Sequence, residues 1–303
     1  MTAGSSNPAT HGTQKVGPTS APPTYTVTSD GLRLAWWCAG PTDPATPGVL
    51  MIMGFGARGS AFRHQVEHAD SVAGARHAAW FDHRGVGHSD APRKALTMHR
   101  LASDAVDVAD AAGIKRFHVV GVSMGGMVAQ HVALHWLPRT VSLTLIATHP
   151  GGPLARIPPL GAFRFGPRTA SRDLKKRFSA LSRLLYPPAY LEGIDQNELH
   201  EALRHEFGDG TALSTMWRQF AAIWRHDTRS DLPKLAGLPT LVVQSGPDNL
   251  VRPHWSTYLA KHIPGAKLAR FPHAGHGVVR QCADEINPLL NRHFADAERE
   301  RPR

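Results

Sequence analysis

Short unbroken apolar runs recur along the chain, each stopped by glycine or a polar turn residue. Val49-Leu50-Met51-Ile52-Met53 ends at Gly54, His77-Ala78-Ala79-Trp80-Phe81 at Asp82, and Phe117-His118-Val119-Val120 at Gly121. Residues 141–146, 240–243 and, more weakly, 267–271 continue the series. Runs this short and uniformly apolar predict strands buried on both faces, as in a parallel sheet. Ahead of them, residues 25–28 and 32–37 flank Asp30-Gly31, a hairpin pattern. Between the runs, apolar residues repeat at helical spacing. Met98, Leu101, Ala105, Val108 and Ala112 form one such face, closed by Gly113, and residues 127–136 form another, stopped by Pro138. Strand and helix alternating through short connections predict an α/β fold: a mostly parallel central sheet with helices on both faces.

The alternation fails between His149 and Leu232. That stretch has no buried-strand run, and prolines at 153, 158, 159, 187 and 188 punctuate several helical segments. A structureless loop of this length is implausible in a compact domain. The expectation is a helical cap or lid insert, residues 149–232, set over one end of a core made of residues 24–148 and 233–303. Residues 1–23 are Ser, Thr, Pro, Gly and Ala with almost no large apolar side chains, which predicts a disordered tail.

Composition narrows the class. With 303 residues, 42 % hydrophobic and 19 % charged, most of the chain can bury a core, so wholesale disorder is excluded. Two distant cysteines, Cys38 and Cys282, exclude a disulfide-stapled scaffold. No apolar run approaches the roughly 20 residues that span a bilayer. No basic segment followed by an apolar one opens the chain, so the expected location is cytoplasmic. The net charge of +10 favours acidic surfaces in general, but no nucleic-acid motif accompanies it, and a nucleic-acid partner is not expected.

The sharpest chemical signal is Gly121-Val122-Ser123-Met124-Gly125, placed after a predicted strand and opening a predicted helix. That is the context of a nucleophile elbow: a turn so tight that only glycines fit beside it, holding the Ser123 hydroxyl clear at a helix head. A nucleophilic serine needs a base, and the base needs an orienting acid. Asp248, in Gln244-Ser245-Gly246-Pro247-Asp248, follows the predicted strand at 240–243; a turn-capping aspartate is the competing reading. His276, in Phe271-Pro272-His273-Ala274-Gly275-His276-Gly277, follows the next strand. His273 is its local competitor, and His273-x-x-His276 lacks an accompanying Cys, Asp or Glu cluster in the sequence, which argues against a metal. The order Ser, Asp, His is the one expected with this elbow. Backbone N–H groups of Phe55, in the Gly54-Phe55-Gly56 loop, and of Met124 are the expected oxyanion donors.

With these motifs in place, residues 24–296 resemble the α/β-hydrolase family, in its serine-nucleophile branch of esterases and monoacylglycerol lipase-like hydrolases. Asp82-His83-Arg84-Gly85-Val86-Gly87-His88-Ser89 resembles the family's Asp-x-Arg-Gly-x-Gly-x-Ser block, which is structural there, so neither Asp82 nor Arg84 is assigned to catalysis. Serine at the elbow excludes the haloalkane dehalogenase and epoxide hydrolase branches, which need aspartate. Two departures stand out: Met53-Gly54 replaces the common His-Gly at the oxyanion loop, and Ser245-Gly246 precedes the acid. The resemblance implies cleavage of a small-molecule ester with an apolar acyl group through an acyl-enzyme, with no metal or organic cofactor. The same triad serves amide, thioester, lactone and carbon–carbon hydrolysis and perhydrolysis, and a ligand receptor on a hydrolase scaffold is a further alternative.

The insert adds two features. Between Arg156 and Arg183 lie eight basic residues and one acid, with Leu174, Phe178, Leu181 and Leu185 on one helical face. Such a helix reads either as a lid with a solvated charged face or as a weak contact with an anionic membrane surface. Phe207, Trp217 and Trp224 are candidates for an apolar acyl pocket, with core packing as the competing explanation.

Overall fold

The computed structural model describes residues 18–68, 70–208 and 210–300. Eight strands form one sheet: β1 (Thr24–Val27), β2 (Arg33–Ala39), β3 (Gly48–Ile52), β4 (Ala78–Phe81), β5 (Phe117–Val122), β6 (Thr140–Ile146), β7 (Thr240–Ser245) and β8 (Lys267–Phe271). Their spatial order is β1-β2-β4-β3-β5-β6-β7-β8. β1 and β2 form the antiparallel hairpin, β2 pairs antiparallel with β4, and every pairing from β4 to β8 is parallel. The described helices are α1 (Arg63–Val66), α2 (Val72–Ala75), α3 (Met98–Ala111), α4 (Met124–His135), α5 (Leu160–Phe165), α6 (Leu174–Leu185), α7 (Pro188–Glu192), α8 (Gln196–Phe207), α9 (Leu213–Arg225), α10 (His254–His262), α11 (Val278–Gln281) and α12 (Ala283–Glu300).

The uniformly apolar strands hide a period of two. Leu50, Ile52, Val119, Leu143, Leu145 and Val242 face a core layer built with α3, α4 and the end of α10. Their neighbours Val49, Met51, Val120, Val122, Ile146 and Val243 face a second layer with α1, α2, α11 and α12. Because both faces are covered, both sets are apolar, which is why no alternation shows in the sequence. Thr97 starts α3 by accepting from the Arg100 N–H, and the chain leaves that helix through Gly113 at φ +73°.

Residues 1–17 of the expected tail lie outside the described residues. The expectation of disorder fails for residues 18–23. Pro18–Ser20 is a turn of 3-10 helix, and Thr19 is buried. The Thr19 N–H and hydroxyl both donate to the Glu67 carboxylate, and the Trp37 indole donates to the Ala21 carbonyl at 2.8 Å. Polar side chains and backbone, which hydropathy does not score, fasten this segment.

Between β6 and β7 the described residues hold α5 to α9 and no strand. On α6, Phe178 and Leu185 pack with Leu199 and Leu203 of α8, leaving Lys175 and Lys176 in solvent. Most of the apolar face of the basic helix is therefore taken up by α8; of the four apolar residues expected on it, Leu174 is exposed. Among the described residues no helix is long and apolar enough to cross a membrane.

Candidate active site

Loops after β3, β5, β7 and β8 carry the residues singled out above. These strands are parallel, so their C-terminal ends share one edge of the sheet, where open α/β sheets bind ligands. Ile52 is in register with Gly121, which sets the Gly54-Phe55-Gly56 loop beside the elbow.

Ser123 stands between β5 and α4 at φ 57°, ψ −121°, a conformation that L-residues avoid. Three glycines make the turn feasible. A Cβ on Gly121 would lie 2.3 Å from the Gly125 carbonyl oxygen, one on Gly125 2.0 Å from that of Ile52, and one on Gly126 2.6 Å from Thr148. The elbow is also tied to the neighbouring strand. The Ser123 N–H donates to Ile146 O at 2.9 Å, and the Thr148 hydroxyl to Ser123 O at 2.7 Å. Among the described residues no hydrogen-bond partner meets the N–H of Met124, at the start of α4, or that of Phe55. A Cβ on Gly54 would meet the Ser123 Cβ at 3.0 Å and its Oγ at 3.5 Å, so the loop approaches the serine closely.

Asp248 is buried and acts as acceptor in four contacts. Its Oδ1 takes the Leu250 and Val251 N–H groups at 2.8 Å each, and its Oδ2 takes the Ser245 hydroxyl and the His276 Nδ1 at 2.8 Å each. The turn-capping and imidazole-holding readings are thus both realised, one by each carboxylate oxygen. A carboxylate only accepts, so Nδ1 of His276 is the donor in that bond. The acid and base loops are clamped together: the Gly246 N–H donates to Ala274 O at 2.8 Å, and a Cβ on Gly246 would lie 2.1 Å from Pro272 O. This close approach is the structural reason for glycine after Ser245. No hydrogen bond joins His276 to the Ser123 hydroxyl among the described residues, so of the two contacts expected of His276 the structure forms the one to Asp248. His273 is elsewhere, with its ring nitrogen against Cys282 and Glu285.

The loop with Met53-Gly54 has its own supports, which the sequence did not reveal. The His83 Nε2 donates to Met53 O at 2.9 Å, and burial lowers the His83 pKa so that the ring stays neutral. The Gly56 N–H donates to the Gln219 Oε1 at 3.0 Å, from α9 of the insert. Asp82 fixes the same region, accepting from the N–H groups of Gly59 at 2.8 Å and His88 at 2.9 Å. Arg84 bridges the buried Asp104 and the hairpin Asp30, pulling the Asp30 pKa far below the carboxylate range. These contacts give the Asp82–Ser89 block a supporting role. Gln219 and Ser245 carry no sequence signal, because a lone polar residue at helical or strand spacing is ambiguous until its neighbours are known.

Insert residues meet this edge at several points. A Cβ on Gly275 would lie 2.4 Å from Leu185 O, the Gly277 N–H donates to Leu185 O at 2.9 Å, and the Arg58 N–H donates to Glu206 O at 2.8 Å. Glu206 is buried beside Arg280, whose guanidinium donates to it at 2.8 Å; burial nevertheless pushes its pKa up to about 7. The expectation for Trp217 and Trp224 is corrected. α9 buries Thr215, Gln219 and Ala222 on one face, and exposes Leu213, Trp217, Phe220 and Trp224 on the opposite one. Trp217 is 69 % exposed, so these indoles line an outer apolar depression rather than the side of α9 that touches the Gly56 loop. Phe207, by contrast, packs partly buried against core residues.

Comparison with known proteins places the fold in a family. The profile of the family described as alpha/beta hydrolase fold matches residues 47–279. A putative carbamate hydrolase, RutD, of Azorhizobium caulinodans is 29 % identical over 246 residues, covering 80 % of this chain and 89 % of that protein. Rhodomycin D methylesterase DauP of a Streptomyces species is 29 % identical over 288 residues, covering 84 % and 93 %. The crystal structure of a hydrolase from Pseudomonas aeruginosa superposes with a TM-score of 0.74 at 25 % identity, covering 90 % of this chain and 98 % of that one.

Proposed function

Since the chain belongs to the alpha/beta hydrolase fold family and is a hydrolytic enzyme, we propose that it cleaves a carboxylic ester of a small molecule through an acyl-enzyme on Ser123. The observation that carries this reading is the strained Ser123 backbone, followed by Met124 and approached by the Gly54-Phe55 loop, whose N–H groups at 55 and 124 meet no partner among the described residues, at the sheet edge where Asp248 holds His276. A relative named as a methylesterase accords with an ester substrate.

In the proposed reaction the Ser123 Oγ attacks the ester carbonyl carbon while Nε2 of His276 takes the hydroxyl proton. The carbonyl oxygen becomes an oxyanion, facing the N–H groups of Phe55 and Met124 and the N-terminal end of α4. Collapse expels the alcohol, which receives the proton from His276. Water then adds to the acyl-enzyme with His276 as base, releasing the acid and restoring Ser123. Asp248 keeps the ring in one tautomer and offsets the imidazolium charge. The insert serves as the cap: Gln219 positions the oxyanion loop, and Leu185 and Tyr186 back the base loop.

The test is labelling with a fluorophosphonate, read by mass at Ser123, together with hydrolysis of p-nitrophenyl esters of rising chain length. Labelling at Ser123 that is lost in His276→Ala, with turnover of at least one ester, supports the reading. An unlabelled Ser123 with intact ligand binding would favour a receptor on the same scaffold.

A further inference from the structure

The fold brings together three side chains that are separated in sequence and take no part in the proposed reaction. The His273 Nε2 lies 3.5 Å from the Cys282 Sγ and 3.7 Å from the Glu285 Oε1, and all three ligand atoms lie within 4.8 Å of one another. We propose that His273, Cys282 and Glu285 form a binding site for a zinc-type divalent metal ion on the loop that carries His276.

The spacing suits the ion. Zinc bonds of about 2.0–2.1 Å to nitrogen, about 2.3 Å to sulfur and about 2.0–2.2 Å to oxygen, opened to tetrahedral angles, put ligand atoms about 3.3–3.6 Å apart. The two distances above come within a few tenths of an ångström of that range before any ion is placed. One nitrogen, one sulfur and one oxygen donor select zinc, cobalt or cadmium over magnesium or calcium, which take oxygen ligands. Three protein ligands leave the fourth position to water.

The backbone is organised independently of a metal. Cys282 ends α11, and Glu285 lies three residues on in the first turn of α12, so both project from one helical corner. Gln281 fastens His273 to that corner: its Nε2 donates to His273 O at 3.0 Å, and its Oε1 accepts the Gly275 N–H at 2.9 Å. Entry is open, since the side chains of His273 and Glu285 are 60 % and 61 % exposed while Cys282 is buried beneath them. Binding exchanges the thiol S–H bond for a sulfur–metal bond and sends the proton to solvent. The dication is then balanced by one thiolate and one carboxylate.

The site is distinct from the catalytic group, because His276 turns its Nδ1 to Asp248. It is three residues away on the same loop, so an ion there stiffens the segment that presents the base. A second trio, His99, His131 and His135, also brings ligand atoms within 4.8 Å, but offers nitrogen alone. The experiment has to separate the two.

The full chain is purified without a histidine tag, stripped with a chelator and titrated with Co(II) and Zn(II). A Cys38→Ser, His131→Ala, His135→Ala background removes the other thiol and the rival trio. One equivalent of metal bound in that background, with thiolate-to-Co(II) charge-transfer absorption in the near ultraviolet, is the expected result. Adding Cys282→Ser should abolish the absorption, and His273→Ala or Glu285→Gln should weaken binding tenfold or more, with circular dichroism unchanged. Absence of thiolate absorption in the background protein, its persistence after Cys282→Ser, or full-strength binding by both His273→Ala and Glu285→Gln would overturn the proposal. Since none of these readouts is turnover, they stand or fall separately from the ester-hydrolase reading.

Discussion

Replacing Ser123 by glycine and by alanine separates backbone strain from side-chain chemistry. Both variants remove the hydroxyl, so both should lose ester turnover. Their stabilities should differ with an unusual sign. At an ordinary position glycine is less stable than alanine by about 0.5–1 kcal/mol, because its unfolded chain has more freedom. Here residue 123 sits at φ 57°, ψ −121°, held by the Gly121, Gly125 and Gly126 contacts and by hydrogen bonds to Ile146 and Thr148. Alanine keeps a Cβ in that conformation, at a cost of about 1–3 kcal/mol that glycine does not bear. The difference leaves Ser123→Gly the more stable, by up to about 2.5 kcal/mol. No hydrogen bond from the Ser123 side chain enters the comparison, since the serine does not cap α4 through its hydroxyl. Urea denaturation with a common m-value reads the difference as a shift in midpoint, and thermal melts should rank the two in the same order, up to about 4 °C apart. If alanine is the more stable of the two, the backbone at 123 is unstrained and the elbow geometry is refuted.

Asp248→Asn should keep the fold, because its amide oxygen can still accept the Leu250 and Val251 N–H groups, yet lower kcat by about 10⁴ through the wrong imidazole tautomer; near-normal turnover would remove Asp248 from the mechanism. Ser123→Ala and His276→Ala should each abolish most activity and combine with little further loss, which a double-mutant cycle checks. Gln219→Leu leaves the buried Gly56 N–H without its acceptor, so stability should fall by about 1–3 kcal/mol and kcat should fall more than KM rises; unchanged kinetics would detach α9 from the oxyanion loop. Burial lowers the pKa of His149 and His293 to about 4 from the ordinary 6.5. The folded state therefore binds fewer protons than the unfolded one between those values, and stability drops as pH falls from 6.5 to 4. At about 1.4 kcal/mol per pH unit, each histidine contributes up to about 3 kcal/mol to that drop; a urea midpoint unchanged between pH 7 and pH 4.5 would contradict it.

Much of this architecture is written locally. Residues 49–53, 117–120 and 240–243 are apolar enough to lie inside a covered sheet whatever surrounds them, and each marks a strand, the first shifted by one residue to 48–52 and the other two extended by two residues where pairing continues. The elbow is equally local: a turn between a strand and a helix that leaves no room for Cβ atoms at 121, 125 and 126 demands glycine at those positions. The glycines announce the turn, and the turn announces the serine. The tail is shorter than its composition predicts because Thr19 and Ala21 are held by Glu67 and Trp37 through hydrogen bonds, which do not register in hydropathy.

What lay beyond local reading depends on which faces meet. The exposed large apolar residues of α9 lie on the face opposite Gln219, and only its packing onto the Gly56 loop shows that Gln219 points inward and Trp217 outward. Asp248 and His276, 28 residues apart, meet because β7 and β8 pair in parallel register and Gly246 lets their loops touch. His273 looked unaccompanied along the chain, yet the turn from α11 into α12 carries Cys282 and Glu285 back to it. Backbone conformation and burial depend on a few neighbouring residues and are legible in order along the chain. Proximity between side chains on different elements depends on strand order, register and helix rotation, which are set by the summed packing of the whole core.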